Sequence, residues 1–516
     1  MEPSGRGSGV SLAQVLASYS LAIDLGLGQP LEHVLRAWRI ASRLGRHAGL
    51  PDAEQPQLFH VAMLAWVGCI ADAPEVAAGF GDDIAFRADS YAADLAGPAG
   101  MAFFLTRAGR TAGPVGRTQA VARMLLTGGN NVMRGIQGHC LTTSVLADDL
   151  ALGDAVGTAL RQFFARWDGR GVPSGVGGTE IALPVRLFHI GDVVEVHHRR
   201  GGVEVAREVA RARSGRQFDP ELAALFCEVA DEVLAPEASD AAGLLSTEPV
   251  LRHPLSEAQL DHALGALADF TDLRSAYRGG HCRGVADLAG AAAATLGIRD
   301  VTAVRRAALV HDVGLHGVPA TILDKPTSLS ATEWERVRAS SYYTERVLAG
   351  TPALARIGAV ASLVHERMDG SGYHRGVGGS GIPMPSRVLA VACVFRSMTE
   401  PRAHREAMTP KKAADTLKAE ARAGRLDAQA VDAVLGAAGA GGRRRTVGPA
   451  GLTSREVEVL RLIARGASTR EVARRLDIGQ RTAGTHIERI YTKTGACSRS
   501  TATLFALRHG LLDPLE

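Results

Sequence analysis

Residues 369–394 read DGSGYHRGVGGSGIPMPSRVLAVACV, and residues 168–193 read DGRGVPSGVGGTEIALPVRLFHIGDV. Both stretches follow the pattern DGxGxxxGVGG, then Ile, then Arg before an apolar run. The offset between them stays at about 201 residues without a gap, which is the signature of an internal repeat. A period of this length is too long for a solenoid repeat and indicates a duplicated domain.

The sequence around the two stretches extends the repeat in both directions. Upstream, residues 64–68 (LAWVG) correspond to residues 310–314 (VHDVG). We therefore expect a first domain at residues 12–236 and a second at residues 250–435. Apolar residues at three- and four-residue spacing predict helices at 283–296 and 303–311, and Ser330 with Glu333 forms a predicted capping box. The predicted fold class is all-α, with two tandem helical domains.

Composition excludes several classes of protein. The 516 residues carry a formal net charge of +4, and aromatic residues make up only 5%, which argues against nucleic-acid binding by base stacking. The six cysteines are scattered without a CxxC pair, as is typical of a reducing, cytoplasmic setting. The longest apolar run, residues 61–71, is too short to span a bilayer, so no membrane partner is expected.

The charge is distributed unevenly along the chain. Residues 436–516 carry about +7 and residues 1–435 about −3. Residues 436–450 (GAAGAGGRRRTVGPA) have the composition of a flexible basic linker, and a small basic module follows at 451–516. This layout is typical of a DNA-binding tail, although charge alone is equally compatible with a solvated hinge.

The second repeat contains residues that bind metals in other proteins. They are His281, the pair His311 and Asp312, the pair His365 and Glu366, and a loop at 369–373. Neutral imidazole and carboxylate are good ligands for Fe, Mn or Zn, and such an ion would activate water against a phosphodiester. On spacing alone, any single histidine is more often a surface or core residue.

Residues 277–435 resemble the HD-GYP family, which hydrolyses cyclic di-GMP with bound metal. The matching text includes AALVHDVG, VPATILDKPTSLSATEWE and HERMDGSGYHRGVGGSGIPMPSRVLAVA. The resemblance implies a helical HD fold with a divalent metal, and a cyclic dinucleotide as partner. It assigns catalysis to His311 and Asp312. It implies metal ligands at His281, His311, Asp312, His365 and Cys393, and ligand-binding loop positions at Asp369, Gly370, Gly372 and Tyr373.

This sequence departs from the family pattern mainly in its chemistry. Leu315 stands where the family has a phosphate-contacting Lys, Ser340 where it has a ligand His, Cys393 where it has a ligand Asp, and His374 ends the GYP motif. A Lys-to-Leu change removes a cation. We favour a domain that has lost turnover and serves sensing or dimerisation. The alternative is one ion held by His281, His311, Asp312 and Cys393, in which thiolate favours Zn or Fe.

The first repeat retains less of the motif. His33 and Asp192 remain, but Ala65-Trp66 replace the His-Asp pair and Phe164-Ala165 replace His-Glu. We expect no metal site there, and a core that has closed over the former cavity. Pseudo-twofold packing of the two copies is a further hypothesis.

Residues 451–512 predict four helices. Thr453 or Ser454 caps the first, Ser468 with Glu471 caps the second, residues 481–494 form the third, and Ser498 or Ser500 caps the fourth. Two short helices joined by a tight turn are a helix-turn-helix arrangement. The segment resembles the LuxR-type DNA-binding domain. That resemblance assigns DNA contact to residues of the third helix: Arg481, Thr482, Thr485, His486, Arg489 and Lys493. Gly484 is a departure that weakens this helix.

The sequence as a whole predicts a cytoplasmic transcriptional regulator that binds duplex DNA. We expect a homodimer formed through the helix at residues 500–509 and the upstream domains. One alternative is a metal-dependent cyclic di-GMP phosphodiesterase coupled to DNA binding. Another is a non-catalytic scaffold for protein partners.

Overall fold

The computed structural model describes residues 7–110, 113–127, 130–236, 249–439 and 449–512. The chain divides into two compact units, Met1–Ser256 and Glu257–Glu516. Regular structure in the described residues is almost wholly helical. The exception is a two-stranded antiparallel pair within the first unit, β1 (Gly7–Ser11) and β2 (Pro254–Ser256). The all-α prediction is confirmed.

The core of the first unit lies between two of its helices. The unit contains twelve described α-helices. They are α1 (Leu12–Gly26), α2 (His33–His47), α3 (Gln55–Leu64), α4 (Gly68–Ala71), α5 (Ala73–Phe80), α6 (Asp83–Ser90), α7 (Gly97–Arg107), α8 (Pro114–Thr127), α9 (Asn130–Asp149), α10 (Asp154–Arg161), α11 (Leu183–Arg213) and α12 (Pro220–Val233). Helix α11 packs along α2 so closely that a Cβ at Gly191 would lie 2.4 Å from the Ala37 carbonyl. This contact brings His33 of α2 and Asp192 of α11 together.

The HD-like part of the second unit is arranged around one alanine-rich helix. Its helices are α13 (Glu257–Asp272), α14 (His281–Thr295), α15 (Val301–Val310), α16 (Ala320–Leu323), α17 (Ala331–Leu348), α18 (Pro352–Ala361), α19 (Met384–Thr399), α20 (Pro410–Arg422) and α21 (Ala428–Gly439). Small side chains at Ala289, Ala292 and Ala293 are fully buried and allow α15 and α19 to approach α14 closely. The predicted capping box of Ser330 and Glu333 is present at the start of α17.

The two glycine-rich stretches that revealed the repeat share a backbone as well as a sequence. Gly169 and Gly370 both have positive φ, at 70° and 78°. A Cβ at Gly177 would lie 2.9 Å from Gly169 N, and one at Gly378 would lie 2.9 Å from Gly370 N. The shared pattern therefore encodes one loop geometry twice. The boundaries 12–236 and 250–435 stay predictions, and most of the predicted linker lies outside the described residues.

Four helices follow, also within the second unit: α22 (Ser454–Ala464), α23 (Thr469–Arg475), α24 (Gln480–Thr494) and α25 (Arg499–Arg508). Thr453 caps α22 with Glu456, Ser468 caps α23 with Glu471, and Ser498 caps α25. Their apolar faces share one core that includes Leu460, Val472 and Ile490. The predicted helix boundaries are correct to within one or two residues.

No single helix among the described residues is long and apolar enough to cross a membrane. One bent pair, Asp52–Ala71 with Ala73–Phe80, passes on length and composition alone. Phe59, Val61 and Leu64 of this pair are fully buried in the core of the first unit.

Candidate functional site

His281 opens helix α14 directly after Gly280, whose φ of 80° turns the chain into the helix. Its ring is fully buried, and Nδ1 lies 2.7 Å from Glu400 Oε2. This contact fixes Nδ1 as the donor and turns Nε2 inward, as second-sphere carboxylates do for metal-binding histidines. Burial holds the pKa of His281 well below its usual value, so the ring is neutral at pH 7.

His311 and Asp312 end helix α15 beside it. His311 Nδ1 lies 2.7 Å from the Ala308 carbonyl, which leaves Nε2 facing Asp312 Oδ2 at 2.9 Å. Burial and the nearby Arg278 lower the pKa of His311 to about 3. The Thr344 hydroxyl donates to the His311 carbonyl and accepts from Gly314 N, and this holds the turn in place. Both rings therefore present an unprotonated Nε2 to the same space.

Cys393 on α19 completes the group. Its Sγ lies 3.9 Å from His281 Nε2, and the ligand atoms of His281, His311 and Cys393 lie within 4.8 Å of one another. Asp312 Oδ2 is 3.7 Å from His281 Nε2. His311 Nε2 and Asp312 Oδ2 are buried and make no hydrogen bond to the described residues. We call these four residues the donor cluster. Its two nitrogens, one sulfur and one oxygen fit a borderline-soft divalent ion such as Zn or Fe.

His365 does not join the donor cluster. Its ring stacks on Tyr373, with 4.8 Å between the centroids, and the His365 carbonyl accepts from Tyr373 N. Asp369 accepts hydrogen bonds from the backbone and hydroxyl of Ser371, so its carboxylate shapes the loop. A Cβ at Gly372 would lie 2.4 Å from the Glu366 Cα, which excludes a side chain there. The loop residues predicted to bind ligand therefore support the loop's own geometry in this structure.

The positions that depart from the family pattern are occupied by well-packed residues. Leu315 is buried with Val318 and Ile322 in a small apolar cluster. The Ser340 hydroxyl donates to the Val337 carbonyl within its own helix. Neither side chain offers a ligand to the donor cluster.

The equivalent place in the first unit is closed by hydrogen bonds. His33 Nδ1 lies 2.6 Å from Glu195 Oε2, and Nε2 lies 3.1 Å from Asp192 Oδ1. Burial opposes the charged imidazole, but the hydrogen bonds to both carboxylates raise the pKa of His33 to about 9. Trp66 Nε1 and the Tyr91 hydroxyl also donate to Asp192. At the position where we expected no metal site, the first unit thus contains a buried ion pair between His33 and two carboxylates.

Aromatic side chains fill the space around this ion pair. Trp66 packs edge-on against Phe163 and Phe164, with centroids at 4.9 and 5.8 Å. A further possible donor group in the first unit is Cys69, Asp72 and His139. Arg87 Nη2 lies 2.5 Å from Asp72 Oδ1, so a guanidinium already neutralises that carboxylate.

Helix α24 presents an open polar face. Arg481, Thr482, Thr485 and Arg489 are exposed, and His486 is half-buried. Ala483 and Ile490, on the opposite face, are fully buried in the four-helix core. The N-terminal turn of α24 is therefore free to enter a groove, which is how the second helix of a helix-turn-helix reads DNA.

Comparisons with known proteins agree with this division. Residues 264–430 match the model described as HD domain, and residues 450–506 match the model described as bacterial regulatory proteins, luxR family. The chain carries an HD domain followed by a LuxR-type helix-turn-helix domain.

Relatives extend the similarity beyond these two domains. A 3'3'-cGAMP-specific phosphodiesterase 3 of Vibrio cholerae serotype O1 is 29% identical over 410 residues, covering 78% of this chain and 89% of the relative. A crystal structure of a cyclic GMP-AMP specific phosphodiesterase from V. cholerae (V-cGAP3) aligns with a TM-score of 0.58 and 26% identity, covering 84% of this chain and 98% of that one.

A third relative matches only in part. The cyclic di-GMP phosphodiesterase response regulator RpfG of Xanthomonas campestris pv. campestris is 33% identical over 177 residues, 33% of this chain. The match spans 46% of that relative, which is less than half of its length.

Sequence reasoning missed two residues at the HD site. Arg278, three residues before His281, contacts Asp312 Oδ2 with its guanidinium. Glu400 accepts from His281 and is flanked by Arg396 and Arg402. Against its burial, the contact with His281 first and then the two arginines hold the pKa of Glu400 well below its usual value. The signal for Arg278 was the run RGGH at 278–281, because two glycines allow the chain to fold the arginine back toward the histidine.

Lys493 differs from the other residues predicted to contact DNA. Its Nζ lies 2.7 Å from Glu456 Oε2 and donates to the Gly451 carbonyl. In this structure the lysine ties the recognition helix α24 to the start of α22.

Proposed function

We propose that the protein is a transcriptional regulator in which the helix-turn-helix (HTH) domain binds duplex DNA and the HD domain binds a ligand as a sensor without hydrolysing it. The observation that carries the DNA half is the exposed N-terminal turn of α24, with Arg481, Thr482 and Thr485 on its surface. Side chains in this position of a helix-turn-helix reach base edges in the major groove. The regulator would act in the cytoplasm, where DNA is accessible.

The remaining cations fit contacts to phosphate. Arg489 is exposed two turns along α24 from Arg481 and lies at the right spacing to follow the DNA backbone. Lys493 would need to leave Glu456 to do the same. His486 lies between the two arginines on the half-buried edge of the same face.

The HD domain would bind without hydrolysis because its phosphate chemistry is incomplete. Leu315 is apolar and buried where a cation is expected, and Ser340 offers no ligand to the donor cluster. His281, His311, Asp312 and Cys393 would hold one divalent ion such as Zn or Fe. When bound, such an ion supplies Lewis-acid polarisation of a phosphoryl oxygen or of water. Binding would need only the ion and the loop, whereas turnover would need the missing groups as well.

The second candidate function is an active cyclic-dinucleotide phosphodiesterase coupled to DNA binding. It is favoured by the relative named 3'3'-cGAMP-specific phosphodiesterase 3, which aligns over 78% of this chain. The His311 and Asp312 pair and the second-sphere Glu400 are intact, so one-metal chemistry has its first ligands in place.

Turnover assays separate the two candidates. Purified full-length protein would be incubated with 3'3'-cGAMP or cyclic di-GMP and with Mn, Fe or Zn, and binding of the same compounds would be followed by calorimetry. We expect binding without linear product. Hydrolysis that disappears in His311→Ala and persists in the surface control His262→Ala would favour the phosphodiesterase instead.

We also propose that the protein forms a homodimer, which requires one contact within the chain to be broken first. Helix α25, through which the dimer was expected, lies against the HD domain, and its residues Ser500, Thr503 and Leu504 are buried. A dimer through this helix therefore requires the HTH domain to leave that position first.

A further inference from the structure

Arg278 places a positive charge inside the donor cluster. Its guanidinium contacts Asp312 Oδ2, and its Nε and Nη2 are buried without hydrogen-bond geometry to any described residue. Asp312 Oδ2 and His311 Nε2 are likewise buried without a hydrogen bond. Asp312 Oδ2, which a metal would use, thus contacts a guanidinium, and the Nε and Nη2 of that guanidinium lack hydrogen bonds of their own.

We propose that Arg278 is a displaceable internal cation: it neutralises Asp312 in the metal-free protein, and a divalent ion must displace it to bind. The proposal rests on the donor cluster described under the proposed function. A buried carboxylate needs a compensating charge. His281 and His311 do not supply it, because Nδ1 of each ring faces another acceptor, Glu400 Oε2 at 2.7 Å and the Ala308 carbonyl at 2.7 Å. Arg278 is the cation in contact with Asp312, and only one cation is needed there.

The segment that carries Arg278 is also the contact surface for the HTH domain. We define the docking segment as residues 276–280. A Cβ at Gly279 would lie 3.0 Å from the Ala464 carbonyl and 3.1 Å from Thr503 Cγ2. A Cβ at Gly280 would lie 3.2 Å from Leu507 Cδ2. The docking segment therefore packs closely against α22 and α25 at both glycines.

The other side of this contact is equally tight. A Cβ at Gly466, just after α22, would lie 2.9 Å from the Ala276 carbonyl and 3.0 Å from the Tyr277 ring. Arg402 bridges the docking segment to the site, because it donates to the Tyr277 carbonyl and to Glu400, the partner of His281. The donor cluster and the HTH domain thus share one short, firmly held piece of backbone.

Displacement of Arg278 consequently acts on both domains. Once a divalent ion takes over Asp312, the guanidinium must find another place, and the backbone of the docking segment shifts with it. Because Gly279 and Gly280 lie in close contact with α22 and α25, such a shift loosens these contacts. Helix α25 is then released from the HD domain and becomes available for pairing with a second chain.

The test compares metal binding in the full-length protein and in Arg278→Gln, which keeps a polar side chain and removes the charge. The matched control is Arg283→Ala, because Arg283 lies on the same helix α14 but pairs with Asp269 outside the cluster. Co²⁺ serves as the probe, since bound thiolate gives a charge-transfer band, and Zn²⁺ competition gives the affinity. We expect Arg278→Gln to bind Co²⁺ about tenfold or more tightly than wild type, because a positive charge next to the ion is removed, with Arg283→Ala unchanged.

A second readout follows α25 in the wild-type protein by hydrogen exchange, without DNA. We expect Zn²⁺ to increase exchange in residues 499–508 and in the docking segment, with no change in α20. Equal or weaker metal affinity in folded Arg278→Gln, or no metal binding in either protein, would overturn the proposal. If that variant does not fold, unchanged exchange in Zn²⁺-loaded wild type does the same. Equal or weaker affinity in Arg278→Gln, with metal still bound by wild type, overturns this inference alone, whereas absence of metal binding in both proteins also removes the ion from the proposed function.

Discussion

The buried ion pair of the first unit predicts a specific dependence of stability on pH. In the folded unit, Asp192 and Glu195 raise the pKa of His33 to about 9 from an ordinary value of 6.5. Because the folded state holds this proton more tightly, the stabilisation is fully present below pH 6.5 and is lost as pH rises through 9. The shift corresponds to about 3 kcal/mol, of which about 2 kcal/mol falls between pH 7.5 and 9.5.

Other titratable groups of the first unit determine why the pH range from 7.5 to 9.5 is used. The pKa of Asp24 is raised to about 7, mainly by burial. The change in stability that its ionisation causes is therefore essentially finished by pH 7.5. The pKa of His139 is also raised, through Asp72 and Cys69 against its burial, and adds a slope of the same sign. The difference between wild type and His33→Gln therefore isolates the contribution of His33.

The assay is thermal unfolding followed by tryptophan fluorescence, because Trp38, Trp66 and Trp167 all lie in the first unit. We expect the midpoint temperature of wild-type unfolding to fall by roughly 4–8 °C between pH 7.5 and 9.5 because His33 loses its proton. His33→Gln should unfold at lower temperature at pH 7.5 and vary less with pH, while the surface control His47→Gln follows wild type. Parallel pH profiles for wild type and His33→Gln would refute the reasoning.

Three further predictions follow from local geometry. Gly484→Ala should stabilise the HTH domain by about 1 kcal/mol in thermal unfolding, because the new Cβ would meet nothing within 4 Å; a loss of stability would contradict this. Gly314→Ala should destabilise the HD domain by about 3 kcal/mol in urea unfolding, because its Cβ would lie 1.9 Å from the Ser340 carbonyl. Gly381→Ala, whose Cβ would lie 3.7 Å from Val377 Cβ in ordinary van der Waals contact, is the control, and equal effects would show the clash to be relieved. Cys393→Asp should move metal preference from Zn²⁺ toward Mn²⁺ in elemental analysis after equilibrium dialysis, and unchanged selectivity would remove Cys393 from the ligand set.

The sequence predicted those features that depend on short-range pattern. The capping boxes at Ser330 and Ser468 form as expected, and Thr453 caps its helix, because each cap involves residues three positions apart. The duplicated glycine loop was visible because its positive φ values demand glycine at fixed places. The convergence of His281 with His311 and Cys393 followed from a family resemblance that orders the motifs along the chain.

The sequence could not predict features that depend on where separate elements come to rest. Arg278 lies next to its target only after a two-glycine turn folds it back onto α15. His365 stacks on Tyr373 because the loop returns over it, and spacing gives no sign of that return. The contact between the docking segment and α25 joins residues more than 200 positions apart, and its only trace in the sequence is the pair of glycines at 279 and 280.

The most direct test of the proposed function is the binding of fluorescently labelled duplex DNA to the full-length protein, measured by anisotropy over a series of salt concentrations. We predict salt-dependent binding in wild type. In the double variant Arg481→Ala, Arg489→Ala, we predict that binding weakens and that the slope of log affinity against log salt falls by about 0.9, because Arg489 is the one of the two assigned to phosphate. Arg422→Ala, an exposed arginine on the HD domain, should match wild type. Binding that is absent, independent of salt or indifferent to the double substitution would contradict a DNA-binding role for helix α24.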